Sequence, residues 1–179
     1  MAYTITDSQL AGILPIANID SGVTFPNASS AKPSPPLVPG MIVRANDPTY
    51  GSAEFILLAG VANTTVGSPV TYNTTSFTTA LAPVGTYKPQ PIAIAMSANT
   101  SASTWGWYQI SGLAVAAKSS AVSLAANAQV GVLTAGFIAG TGSGKEIQGA
   151  LVAVVASATA GRTTVQVVLD RPHMQGRIT

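Results

Sequence analysis

Glycines, a lysine and a following apolar run are the parts from which phosphate-binding loops are made. The stretch FIAGTGSGKEIQG, Phe137 to Gly149, contains all three. In the motif G-x-x-x-x-G-K-[ST], backbone amides and the lysine hold phosphate oxygens, and the last hydroxyl holds magnesium. Setting Gly144 and Lys145 as the Gly-Lys pair leaves Ala139 where the first glycine belongs and Glu146 where the hydroxyl belongs. Glu146 would also repel phosphate. The residues that follow, IQGALVAVVA, carry Val152, Val154 and Val155 and read as a strand, whereas the motif opens a helix. VQVVLD imitates the strand and aspartate that hold magnesium in nucleotide enzymes, as any apolar strand ending in an acid does. The stretch is expected to be a glycine-rich hairpin loop in which Lys145 and Glu146 provide solubility.

The other reactive side chains form no constellation. His173 is the one histidine, and Asp170 precedes it by three residues in LDRPHMQGRIT. A Ser-His-Asp set is defined by geometry, not proximity in sequence, and no nucleophile elbow is present. Cysteine is absent, which excludes a disulfide framework, a thiolate zinc site and a cysteine nucleophile. The acidic residues Asp7, Asp20, Asp47 and Glu54 lack calcium-loop spacing. The chain is read as a non-enzyme, with no catalytic residue, no cofactor and no metal ligand assigned.

Composition points the same way. Charged residues make up 8% of the 179-residue chain, against the ~25% of ordinary domains. The net charge of +2 comes from scattered cations, so no nucleic-acid partner is expected. The opening MAYTITDSQLAGILPIANID has no basic region before its apolar residues, and GALVAVVASATAG is too short to span a bilayer. No membrane partner and no secretion are expected. The sequons at Asn27, Asn63, Asn73 and Asn99 are attributed to a Ser- and Thr-rich composition.

The elements divide near Tyr50. Six of the twelve prolines, Pro26, Pro33, Pro35, Pro36, Pro39 and Pro48, lie in the segment from Pro26 to Pro48. Proline has no amide donor and a fixed φ, so this segment is expected to stay out of a central sheet and run extended. Residues 1–50 are read as an extended, proline-rich N-terminal arm. Its Leu10, Ile13, Leu14, Ile16 and Ile19, with Pro35 and Pro36, are the candidate partner contacts, because an apolar arm without a core needs a surface to lie on.

Residues 51–179 are read as a β domain with a short C-terminal tail. AEFILLAGV, SPVTYN, PIAIAMS, TWGWYQISG, LAVAA, QVGVLTAGFIAG, IQGALVAVVA and TTVQVVLD are short runs separated by Gly, Asn, Ser, Pro or Thr. Many short strands without long helices between them predict an all-β fold, a small sandwich or barrel. Only SSAVSLAANAQ has the alanine content for a turn of helix. Alternation places Val165, Val167 and Leu169 on one face of the last strand. It places Trp105, Trp107 and Gln109 on one face of their strand, opposite Tyr108 and Ile110. Core packing is the preferred reading of the tryptophans; an aromatic binding platform is the alternative.

GWYQISGLAVAAKSS and LAANAQVGVLTAGFIAGTGSGKEIQGALVAVVASATAGRTTVQVVL resemble the head decoration, or cement, proteins of tailed bacteriophages. The resemblance runs from about Glu54 to Leu169 and is one of pattern and composition. It implies a small β domain on the outside of an icosahedral shell, often a trimer, clamping neighbouring major capsid subunits. The protein would be made in the host cytoplasm and reside in the virion. The alternatives are another virion or surface β module, such as a tail or fibre component or an adhesin, and a nucleotide-using enzyme.

Overall fold

In the computed structural model, residues 4–5, 25–26, 38–85, 88–120, 122–158 and 163–176 are described, and they contain strands but no helix. The fold is all-β. The strands are β1 (Thr4–Ile5), β2 (Phe25–Pro26), β3 (Ile42–Asp47), β4 (Gly51–Ala59), β5 (Pro69–Tyr72) and β6 (Thr79–Leu81). They continue as β7 (Ile92–Ala95), β8 (Thr104–Lys118), β9 (Gln129–Thr134), β10 (Phe137–Gly140), β11 (Glu146–Val152) and β12 (Thr163–Met174).

Five of these close a barrel in the order β8-β10-β9-β11-β12, with β12 returning to β8. Alternation builds its interior. Val165, Val167 and Leu169 point inward, as their spacing predicts, opposite Ala116, Ala114 and Gly112 on β8. Val130, Val132, Ile138, Ile147, Ala150 and Val152 complete the packing. Each fully buried Val, Leu or Ile contributes roughly 1.5–3 kcal/mol relative to exposure.

β8 belongs to two layers. TWGWYQISG and LAVAA, expected as separate strands, form one strand of 15 residues. Its first half pairs with β4 on one edge and β7 on the other; its second half pairs with β12. The change of partner occurs at Gly112, whose φ is +89°. A Cβ there would come within 2.6 Å of the Ser52 carbonyl oxygen, so the chain can turn there only as glycine. Gln109, fully buried, donates from Nε2 to the carbonyls of Ser111 (3.1 Å) and Leu113 (3.0 Å), fixing the bend. Trp107 packs with Phe55, Leu57 and Val43 on one face of the open sheet, and Tyr108 and Ile110 pack with Ile56 and Leu58 on the other. The tryptophan face is core. Trp107 is buried, so it offers no aromatic platform.

Several expectations are corrected. Strand structure begins before Gly51: β3 pairs with β4 from Ile42↔Ile56 to Asp47↔Gly51, and Val43 and Ala45 are buried. The proline-rich segment also enters the sheet, because β2 pairs Phe25 with Trp105 and Pro26 with Thr104. β1 pairs with β3. These pairings are two residues long and lie at strand margins, where a missing amide donor is tolerated. SSAVSLAANAQ contains no helix among its described residues. Leu124 instead forms a β-bridge with Ala156 and enters the barrel core, so tertiary packing overrides alanine propensity. The expected C-terminal tail is strand as far as Met174, which is fully buried. Asp170, Arg171 and Pro172 bulge opposite Gly149, which accommodates a proline within a strand.

Candidate interaction surface

The glycine-lysine loop is a strand connection. Gly144 donates its amide to Gln175 Oε1 (3.1 Å), and the Lys145 amide donates to the Gly142 carbonyl (2.9 Å). The Lys145 carbonyl accepts from Val132 (3.0 Å). Two amides that a phosphate loop would aim at its ligand are thus bonded within the protein, and β11 follows in place of a helix. The expected hairpin is corrected in one respect: β10 and β11 are not neighbours, because β9 lies between them. The loop crosses β9 at Gly131, where a Cβ would approach the Lys145 carbonyl to 2.6 Å. The true hairpin is β9–β10, turning at Ala135–Gly136 with Gly136 at φ +76° and a bulge after Phe137.

Asp170 and His173 do not form a catalytic pair. Asp170 pairs with Ser111 on β8, whereas His173, beyond the bulge, pairs with Gln148 on β11 and bridges Pro91. No group of His, Asp and Glu side chains among the described residues is arranged to hold a metal ion.

The outside of the barrel carries the more informative surface. Leu113 on β8, Val168 on β12 and Leu151 on β11 are register partners in one outward row. Val168 is 48% exposed and Leu151 44%. One-sided sheets ordinarily alternate polar residues on this face. Val154 and Val155, also exposed, follow β11.

Beside the row, Ser111 pairs with Asp170 on one side and with Glu54 on the other. Glu54 accepts from Arg44 Nε (3.2 Å) and from Arg171 Nη2 (2.7 Å). The carboxylate is 16% exposed, the arginines 76% and 62%. This cluster ties β3 and β4 of the open sheet to β12 of the barrel and leaves two guanidinium groups toward solvent. Arg171 has φ +43°, a left-handed conformation that the bulge imposes. A cleft of about 510 Å³ lies over these residues.

On the Tyr108 face of the open sheet, Asn99 organises a buried polar knot. With its amide oriented to satisfy its neighbours, its oxygen accepts from Gly60 (3.1 Å), Gly106 (3.2 Å) and the Tyr108 hydroxyl (3.2 Å), and its nitrogen donates to Thr104 Oγ1. Burial pushes the Tyr108 phenol up to about 12. This knot holds the sheet together.

Leu10, Ile13, Leu14, Ile16, Ile19, Pro35 and Pro36 lie outside the described residues. The surface found instead was missed because its members are remote in sequence: Glu54 and Arg171 are 117 positions apart. The signal that existed was Val168, an apolar residue at the outward position of the last strand. No protein-family model matches the chain, and no curated protein proves similar to it.

Proposed function

We propose that the protein is a structural component of a phage virion, a cement protein that binds the outside of the capsid and clamps neighbouring major capsid subunits. The observation that carries this reading is the outward row Leu113–Val168–Leu151 beside the Arg44–Glu54–Arg171 cluster. An apolar strip bordered by exposed guanidinium groups matches the composition of protein-binding surfaces, in which apolar contacts are central and arginine is enriched. The resemblance of the segment Glu54 to Leu169 to head decoration proteins supplies the partner. Low charge density supports homotrimer formation, because few charges oppose self-association and closed symmetry limits it to a finite particle. The seven apolar arm residues add contacts to the shell in this reading.

The test is incubation of the purified protein with undecorated heads of the phage that encodes it, followed by sedimentation. Saturable pelleting with heads, weakened by Val168→Asp, supports the proposal. Protein that stays in the supernatant at every concentration contradicts it.

A further inference from the structure

Lys118 is one of only eight cationic residues in the chain, yet it is 1% exposed. It is the last residue of β8 and follows Ala114 and Ala116 at the inward parity, so it points into one end of the barrel. Its Nζ donates to the carbonyl oxygens of Val122 (2.6 Å) and Ser119 (3.1 Å). These supply partial negative charge but no formal counter-charge. Glu54, which holds two ion pairs, lies on another part of the molecule.

An ammonium has three donors, and two are engaged here. Thr163 on β12 is the register partner of Lys118 and shares its face. Its Oγ1 is buried without a hydrogen-bond partner, and so is Oγ of Ser119. This end of the barrel therefore concentrates a buried cation and two buried hydroxyls, with no anion bonded to them among the described residues. Buried charges are ordinarily paired and buried polar atoms ordinarily bonded. A cleft of about 370 Å³ reaches Lys118 and Thr163 from the surface, and the exposed Val154 and Val155 line it.

We infer that this end of the barrel binds a carboxylate. Lys118 Nζ supplies the charge, Thr163 Oγ1 a hydrogen bond, and Val154 and Val155 the apolar contact for a short aliphatic substituent. A carboxylate has the lone pairs to serve both donors. The group can come from a free short-chain acid or from the end of a protein chain. The inference stands independently of the capsid reading.

The experiment is a thermal melt of the full chain titrated with sodium acetate against sodium chloride at matched ionic strength. A second arm uses the peptide N-acetyl-Ala-Ala with a free C-terminal carboxylate against its C-terminal amide. The expected result is a saturable rise in melting temperature with the carboxylates and none with chloride or the amide. A steeper response to the peptide identifies the chain-terminal source, and an equal or steeper response to acetate the free acid. Thr163→Val, which keeps the shape and removes the hydroxyl, should weaken the response about tenfold. Lys118→Met should abolish it. Should Lys118→Met fail to fold, the Lys118 side-chain resonances of the parent protein are followed through the titration; saturable shifts support the site. Responses equal between acetate and chloride, equal between parent and Thr163→Val, or unmoved Lys118 resonances overturn it and leave water as the occupant.

Discussion

At the scale of single residues, burial rather than reactivity explains the distinctive side chains. Tyr108 is fully buried, and its phenol titrates at about 12 in the folded chain against 10.0 for the free group. The folded state thus holds its proton more tightly than the unfolded state. The associated stability is complete below pH 10 and is lost as pH rises through 12. Two units correspond to about 3 kcal/mol. Melting temperatures measured from pH 9 to 12 should fall steeply for the parent. Tyr108→Phe should show a shallower fall; identical slopes would contradict this account. Lys145 offers the contrasting case. The turn is held by the amides of Gly144 and Lys145, not by the Lys145 side chain. Lys145→Ala should change stability by less than about 0.5 kcal/mol in urea denaturation. Magnesium-dependent ATP binding by the parent, lost in this variant, would revive the nucleotide reading.

At the scale of elements, the strands were legible where alternation was clean. Val165, Val167 and Leu169, and the opposed faces of Trp107 and Tyr108, lie as their spacing predicts. Connections were less legible. Ser111–Gly112 reads as a separator, but it is a bend inside one strand, because a glycine at positive φ can turn a strand without ending it. β3 was hidden by Pro39 and Pro48, which flank it without interrupting it. Lys118 was readable in principle, since AVAAK places it in phase with two inward alanines. The Glu54–Arg171 pair was not, because nothing local signals a contact between β4 and β12. The arm yields the prediction at this scale. Deleting residues 1–37 removes β1 and β2 but leaves β3 through β12 and the barrel core. The truncated protein should retain a β-type dichroism spectrum and melt cooperatively at a lower temperature. Its retention on heads should fall. A loss of cooperative melting would show that the arm is part of the core, and undiminished retention that it makes no contact with the shell.

At the scale of the whole molecule, a closed barrel joined to an open sheet presents an apolar row and an arginine cluster on its outside. The proposal includes a homotrimer, which rests on the low charge density of the chain. Sedimentation equilibrium at micromolar concentrations should give three times the 18.0 kDa chain mass. A single species at the monomer mass would remove the trimer from the proposal. The most direct measurement of capsid cementing is a cryo-electron microscopy reconstruction of undecorated heads incubated with the protein, compared with heads alone. The account predicts added density on the outer face of the shell, bridging neighbouring major capsid subunits and fitted by the barrel. Density confined to tails or fibres, or no added density at saturating protein, would contradict it.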